Sequence, residues 1–319
     1  MEKELTEIIK KTRSKYVKIE KEASLLKIYN LFCHNIFIEP DFSDSLELFY
    51  YGYYYKNLEK NYDLMKKYYF MAVELGSAGS MNNLAFYYNT VEKNYDLTKK
   101  YYSMAIELGN SASMRNLGCY YETVEKNYDL MKKYYIMAIE LGYSNAMNNL
   151  GNYYETMEKN YDLMKKYYSM AVELGNISSM RNLGYYYHHV EKNYDLMKKY
   201  YIMAIELGFS NAMHNLGHYY KNVEKNYDLM KKYFFMAIEL GNSDSMHNLA
   251  YYYQNVEKNY DLMKKYYVMA MELGNLNSMY NLRVYYDNNE SDFSFLKYAD
   301  NFGDLIQKRF RKNVDLPQE

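Results

Sequence analysis

The sequence predicts an all-α solenoid of tandem helix pairs, and three observations predict it. The tetrapeptide EKNY begins at Glu59, Glu92, Glu125, Glu158, Glu191, Glu224 and Glu257, always 33 residues apart. Seven copies therefore run from Glu59 to Asn289 without insertion or deletion. Each copy holds two stretches whose apolar residues recur at helical spacing, bounded by cap residues and glycine. A strict period in this range means that each unit buries its apolar face against the next one.

The copy beginning at Glu125 shows the punctuation. Asn127 is a favoured N-cap, because its side chain accepts an orphan backbone N–H. Asp129 in the first turn suits the positive end of the helix dipole. Tyr128, Leu130, Met131, Tyr134, Tyr135, Ala138, Ile139 and Leu141 form a broad apolar surface, and Gly142 fits a left-handed C-cap. Tyr128 to Leu141 is thus predicted as a helix of about 14 residues, or roughly 21 Å. A turn of three or four residues leads to the next helix, about Asn145 to Glu155, with Met147, Leu150, Gly151 and Tyr154 on one face. Glycine inside a helix costs about 1 kcal/mol against alanine. Its place is filled by Ala85, Gly118, Gly151, Gly184, Gly217 and Ala250, which predicts a close helix contact with no room for a larger side chain. Arg283 in the seventh copy implies that close packing ends there.

The organisation follows from the period. Residues 1–43 are expected to form an N-terminal helical cap, with Leu5, Ile8, Ile9, Tyr16, Ile19, Ala23, Leu26 and Tyr29 at helical steps before the break at Pro40. Residues 44–289 form the array: a half unit at 44–58, then full units from 59, 92, 125, 158, 191, 224 and 257. Residues 290–319 are expected to be a C-terminal helical cap, Asp292 to Lys312, and a frayed tail.

Composition excludes several classes of function. The 319 residues carry a net charge of −1, and the charges cancel within each unit. No basic stripe exists to neutralise phosphates, so no nucleic-acid partner is expected. Two cysteines, Cys33 and Cys119, form no framework, which points to a reducing compartment. Met1 to Lys21 is charged throughout, and no run approaches the roughly 20 apolar residues of a membrane span. A soluble intracellular protein, cytoplasmic and away from membranes, is the expectation. The 46 tyrosines, with abundant Asn, Lys and Met, have mostly AT-rich codons. Near-identical copies in such a composition point to recent expansion in an AT-rich genome, such as that of a giant DNA virus or protist, with the host cytoplasm as the viral location.

The repeated pattern A/S-M-x-N-L-G-x-Y-Y … N-Y-D-L-M-K-K-Y-Y-x-M-A-I-E-L-G resembles the Sel1-like repeat, a relative of the tetratricopeptide repeat. The resemblance rests on Leu117, Gly118 and Tyr121 in the first helix and on Asn127, Tyr128, Tyr135, Ala138 and Gly142 around the second. It holds in one register over all seven units. It implies antiparallel helix pairs in a right-handed superhelix, a role in protein binding, and a partner surface on the first helix. Two departures bear on curvature. The Gly-x-Gly-Val loop is three residues shorter, leaving Val124-Glu125-Lys126, and the usual small residue of the second helix is Met131.

The differences between copies cluster on the first helix at positions i, i+4 and i+7, which form one exposed stripe. Along the array it reads Asn82-Phe86-Asn89, Arg115-Cys119-Glu122, Asn148-Asn152-Glu155, Arg181-Tyr185-His188, His214-His218-Lys221 and His247-Tyr251-Gln254. In the resembled family this helix lines the concave surface, so the stripe is the candidate groove for a protein or peptide partner. The competing reading is free drift of exposed positions after duplication. Units two and four share Ser103/Ser169 and Arg115/Arg181, while units three and five share Ile136/Ile202 and Tyr143/Phe209, the mark of a block duplication.

His214 and His218 share a helix face, a spacing that permits metal binding, yet no carboxylate or cysteine completes a set. No metal or other cofactor is expected. The invariant Asn149 and its copies read as buried amides bonded to the nearby loop backbone. The Tyr and Met stripes read as core, and Lys132 and Lys133 as a solvated face. No nucleophile–base pair, phosphate-cradling loop or paired carboxylate stands outside the repeat register, so the protein is read as a scaffold and not an enzyme. The alternative is a targeting subunit that docks through its N-terminal helix; a metal-binding or enzymatic protein is a distant third.

Overall fold

The computed structural model describes residues 38–289. The terminal helices expected within 1–43 and 290–319 lie outside the described residues, apart from 38–43. Among the described residues there are fifteen α-helices and no strand. They divide into two compact units, with the boundary after Leu174.

The first unit holds four consecutive helix pairs: α1 (Ser45–Asn57) with α2 (Tyr62–Glu74), α3 (Ala78–Tyr87) with α4 (Tyr95–Glu107), α5 (Ser111–Tyr120) with α6 (Tyr128–Glu140), and α7 (Ser144–Thr156) with α8 (Tyr161–Glu173). The second unit continues the pattern with α9 (Ile177–His189) and α10 (Tyr194–Glu206), α11 (Ser210–Tyr219) and α12 (Tyr227–Glu239), α13 (Ser243–Tyr252) and α14 (Tyr260–Glu272), and then α15 (Leu276–Asn289). In each pair the first helix packs most extensively on the helix that follows it.

The caps form as the residues require. The Asn127 side chain accepts from Leu130 N–H at 3.1 Å, and the same bond recurs at Asn61, Asn94, Asn160, Asn193, Asn226 and Asn259. The turn after α6 is three residues long, and Gly142 adopts φ +72°, the left-handed conformation that glycine enters without steric cost. At the start of α7 and α11 the cap residue is aromatic, Tyr143 and Phe209, and makes no capping bond.

The close helix contact expected at the mid-helix glycine is present, and its partner is an aromatic ring. A Cβ at Gly118 would stand 2.6 Å from the Tyr135 ring, and one at Gly151 2.6 Å from that of Tyr168. Gly184 meets Tyr201 and Gly217 meets Phe234 in the same way. Arg283, at the corresponding place in α15, is exposed and pairs with Asp287 at 3.6 Å.

The shortened linker is a turn of a kind the sequence did not announce. After α3, α5, α11 and α13 the chain widens into a five-residue π-turn, such as Tyr121–Glu125. The linker lysine then takes a left-handed conformation, with φ between 53° and 57° at Lys60, Lys93, Lys126, Lys159, Lys192, Lys225 and Lys258. A non-glycine residue pays for this backbone in steric strain, so neighbouring bonds must hold it. Both Lys126 and Asn127 donate their amides to the Tyr121 carbonyl. Glu125 Oε1 accepts from the Tyr120 hydroxyl at 2.8 Å and from Lys99 Nζ at 2.9 Å.

That last contact corrects the reading of the lysines. The first lysine of the KK pair is not merely solvated: Lys66, Lys99, Lys132, Lys198 and Lys231 each reach the EKNY glutamate of the next repeat. The second lies over its own neighbour, as Lys133 does over Tyr134 at 5.7 Å. Each linker also stacks two tyrosine rings face to face, such as Tyr121 on Tyr134 (5.5 Å, 4°) and Tyr220 on Tyr233 (5.4 Å, 2°). Tyr121, Tyr135, Tyr153 and Tyr154 are core, as expected, whereas Tyr62, Tyr95, Tyr161, Tyr227 and Tyr260 are exposed, and the stacked rings are aligned in pairs.

Candidate partner-binding face

The variable stripe is a half-buried face, less open than the sequence suggests. Phe86, Arg181, Tyr185 and Tyr251 are exposed; Asn82, Arg115, Cys119, Glu122, Asn148, Asn152, Glu155, His188, His214, His218, Lys221, His247 and Gln254 are partly covered. What covers them is the second helix of the same pair. The ring that fills the space above the mid-helix glycine belongs to Tyr69, Tyr135, Tyr168, Tyr201 or Phe234, and Tyr102 and Tyr267 hold the same place in the repeats with Ala85 and Ala250; all seven rings are buried. The hydroxyl of these tyrosines emerges on the variable face.

In two repeats of the first unit that hydroxyl meets a carboxylate. Tyr135 donates to Glu122 Oε2 at 2.7 Å, with Cys119 Sγ 3.1 Å away. Tyr168 lies against Asn152 Oδ1 and bonds Glu155 Oε2 at 2.7 Å. Burial raises the Tyr135 hydroxyl far above its ordinary range, and Cys119 and Glu122 add to this, so it stays a donor. Burial also pushes the Cys119 thiol up, against the nearby Arg115 guanidinium. Asn82 Oδ1 is shared between two donors of the next repeat, Ser113 Oγ and Asn116 Nδ2, both at 3.0 Å. Asn89 Oδ1 is buried without a hydrogen-bond partner among the described residues.

In the second unit the same positions are aromatic and basic. His214 and His218 face each other at 4.7 Å, and each ring stands 5.8 Å from Phe234. His214 Nδ1 pairs with Ser245 Oγ, and His247 Nδ1 with Ser278 Oγ, both at 2.9 Å, so each histidine ties its repeat to the next. Burial, then His214 and Lys221, lowers the His218 imidazole to about 4, so it is neutral at pH 7. Burial lowers His188, His214 and His247 as well. Lys221 Nζ lies 5.1 Å above the Tyr251 ring, and Gln254 Oε1 accepts from Tyr267 at 2.9 Å. Arg181 bonds the adjacent Asn182 at 3.0 Å, and the Tyr185 ring rests 4.2 Å from His189.

The invariant asparagine does not turn to the loop backbone as expected. Asn83 donates to the Tyr69 hydroxyl at 2.9 Å and Asn281 to that of Tyr267 at 3.2 Å. Asn149 faces Tyr135 at 3.3 Å; with its amide turned over, its oxygen takes Arg115 Nε at 3.1 Å and its nitrogen donates to the Asn145 carbonyl. Asn248, opposite Phe234, has no hydroxyl to meet and donates to the Asp244 carbonyl instead, at 2.9 Å.

Sequence reasoning thus missed the tyrosine hydroxyls and the half-unit residues Tyr53 and Lys56, which occupy the same register. One signal was available. Phe234 is the only non-tyrosine in its column over the seven repeats, and it coincides with Lys221, the only lysine that the seven full repeats place in the column of Glu122 and Glu155. Among the described residues, no three His, Cys, Asp or Glu side chains come together as a metal site. No helix of the described residues is long and apolar enough to cross a membrane.

No family model and no curated protein matches the chain. Solved structures do. A protective antigen present in uropathogenic Escherichia coli strains, c5321, displays an SLR fold; it aligns at TM-score 0.55 and 22% identity, covering 96% of this chain and 72% of that one. A Sel1 repeat protein from Oxalobacter formigenes aligns at TM-score 0.53 and 21% identity, covering 72% of this chain and 100% of its own. At this identity the likeness concerns the fold. The chain has the fold of the Sel1-like repeat, as its motifs implied.

Proposed function

We propose that the protein is an interaction scaffold whose variable face binds a protein or peptide partner. The observation that carries this reading is where the copies differ. The asparagine caps of the second helices, the tyrosine stacks and the buried leucine are held constant, while a half-buried face with ordered side chains changes chemistry from repeat to repeat. Drift would leave fully solvated positions to vary; here variation falls on side chains that touch their neighbours. A preformed face limits the entropy lost on binding, which favours a passive presenting surface over catalysis.

The test uses Phe86, Arg181, Tyr185 and Tyr251, which are exposed enough to remove without opening the core. The quadruple alanine variant and the wild type are each fused to a proximity-labelling enzyme in the native cell, and labelled proteins are compared by mass spectrometry. Loss of specific labelled proteins with an unchanged melting curve supports the face. The same labelled set in both refutes it.

A further inference from the structure

Two lysines on the variable face have matching surroundings. Lys56 and Lys221 occupy the same repeat position, three residues after Tyr53 and His218. Each extends its ammonium over the aromatic ring at the middle position of the next repeat: Lys56 Nζ is 5.0 Å from the Phe86 ring centroid, and Lys221 Nζ 5.1 Å from that of Tyr251. Both side chains are half-buried, and burial lowers both ammonium groups from their ordinary value. Neither is ion-paired among the described residues, whereas Lys66, Lys99, Lys132, Lys198 and Lys231 all are.

Other repeats fill this position differently. Glu122, Glu155 and Gln254 accept the hydroxyl of their tyrosine. Beside Lys221 the ring is Phe234, which offers no hydroxyl. Asp244, the carboxylate whose charge acts on His214, His218 and His247, already accepts from Asn275 at 3.0 Å. The ammonium has therefore lost water and gained a ring face, but no counter-charge among the described residues. A carboxylate brought by a partner supplies one, as a charge-assisted hydrogen bond in a partly dry setting, with the exposed ring as a platform for the partner's backbone.

We propose that Lys221 with Tyr251, and Lys56 with Phe86, are carboxylate subsites, each taking an Asp or Glu side chain of an extended acidic protein segment. This rests on the reading of the face as the partner surface. The probe is fluorescein-labelled hexaglutamate, with hexaglutamine as control, titrated with the full chain at low salt and read by fluorescence anisotropy. Hexaglutamate should bind and hexaglutamine should not. K221Q and K56Q should each weaken binding at the altered subsite about fivefold, the scale of one partly exposed ion pair, and the double variant should weaken binding at both. K60Q, at an exposed lysine four residues beyond Lys56, should leave it unchanged, and K225Q, at an exposed lysine whose charge acts on Lys221, should weaken it less than K221Q does. Lys221→Met, which keeps the stem over Tyr251, repeats the test if K221Q lowers the melting temperature. Absent hexaglutamate binding, or equal loss in K225Q, overturns the proposal. So does displacement by inorganic phosphate where acetate of equal ionic strength has no effect, which assigns the lysines to phosphate. If hexaglutamate fails while the quadruple alanine variant still loses its labelled partners, the subsites fall and the face stands.

Discussion

Residues 38–174 and 175–289 share one scaffold and differ in one layer of chemistry. In the first unit Tyr135 and Tyr168 pass their hydroxyls to Glu122 and Glu155. In the second, the Phe234 ring lies under His214 and His218, with Lys221 where the carboxylates were. The same packing site thus supports a carboxylate bonded to a tyrosine hydroxyl at Tyr135 and Tyr168, and a basic aromatic cluster at Phe234. The contrast teaches that the buried ring, a core residue by every measure of burial, decides whether a hydroxyl is offered to the side chains of the face.

The largest effect should come from breaking what the units share. Gly151→Leu and Gly184→Leu push a side chain into the rings of Tyr168 and Tyr201, where even a Cβ stands within 2.6 Å. Each should cost about 3 kcal/mol or more, read as a fall in the urea midpoint by circular dichroism. The alanine variants should cost far less, because Ala85 and Ala250 fill the same place. If one leucine is tolerated and the other not, the scaffold is not shared.

A smaller effect should appear on exchanging what differs. Tyr135→Phe leaves Glu122 and Asn149 without their hydroxyl and should cost about 1–2 kcal/mol. Phe234→Tyr alone gains no carboxylate acceptor, but combined with Lys221→Glu it rebuilds the pair of the first unit. The double variant should be more stable than the sum of the singles by about 1 kcal/mol. Strict additivity in urea denaturation would show that the coincidence of Phe234 and Lys221 is an accident of duplication.

Much of this was written in the sequence, and the reasons are local. Asn127 and Gly142 mark helix ends by their own chemistry, and the period places every element after one is known. The π-turn was not legible, because Val124-Glu125-Lys126 contains no residue that announces positive φ; bonds from Lys126 and Asn127 to the Tyr121 carbonyl impose it. Lys132 and Glu158 are 26 residues apart, beyond any helical pairing rule, so their contact needed the stack. The face was placed in register but not in depth: Tyr135 looks like any core tyrosine until its hydroxyl is seen beside Glu122.

Acidity separates the units further. His218 is held at about 4 in the folded chain, against about 6.5 when unfolded. Between these values the unfolded chain binds more protons, so stability rises with pH; it is full above about 6.5 and declines as pH falls toward about 4. The ring is partly exposed, which tempers the effect. Thermal unfolding at pH 5 and pH 7 should show a smaller difference in H218N than in the wild type. An equal difference would place the slope elsewhere, and the exposed glutamates paired with Lys99 and Lys132 titrate in a lower window.

The smallest expected change tests whether the aromatic cap positions serve the units alike. Tyr143 begins α7 in the first unit and Phe209 begins α11 in the second, and neither caps its helix. Asn110, Asn176 and Asn242 cap the equivalent helices through bonds of 2.8 to 3.0 Å. Tyr143→Asn and Phe209→Asn should each supply that bond, worth about 1 kcal/mol, less the apolar contact of a half-covered ring. Equal small gains in melting temperature mean that both aromatics are remnants of one duplicated block. A gain at 143 with a loss at 209 means that the Phe209 ring contributes more to its unit than a capping bond would. The layer of difference between the units would then extend beyond the variable face into the turns.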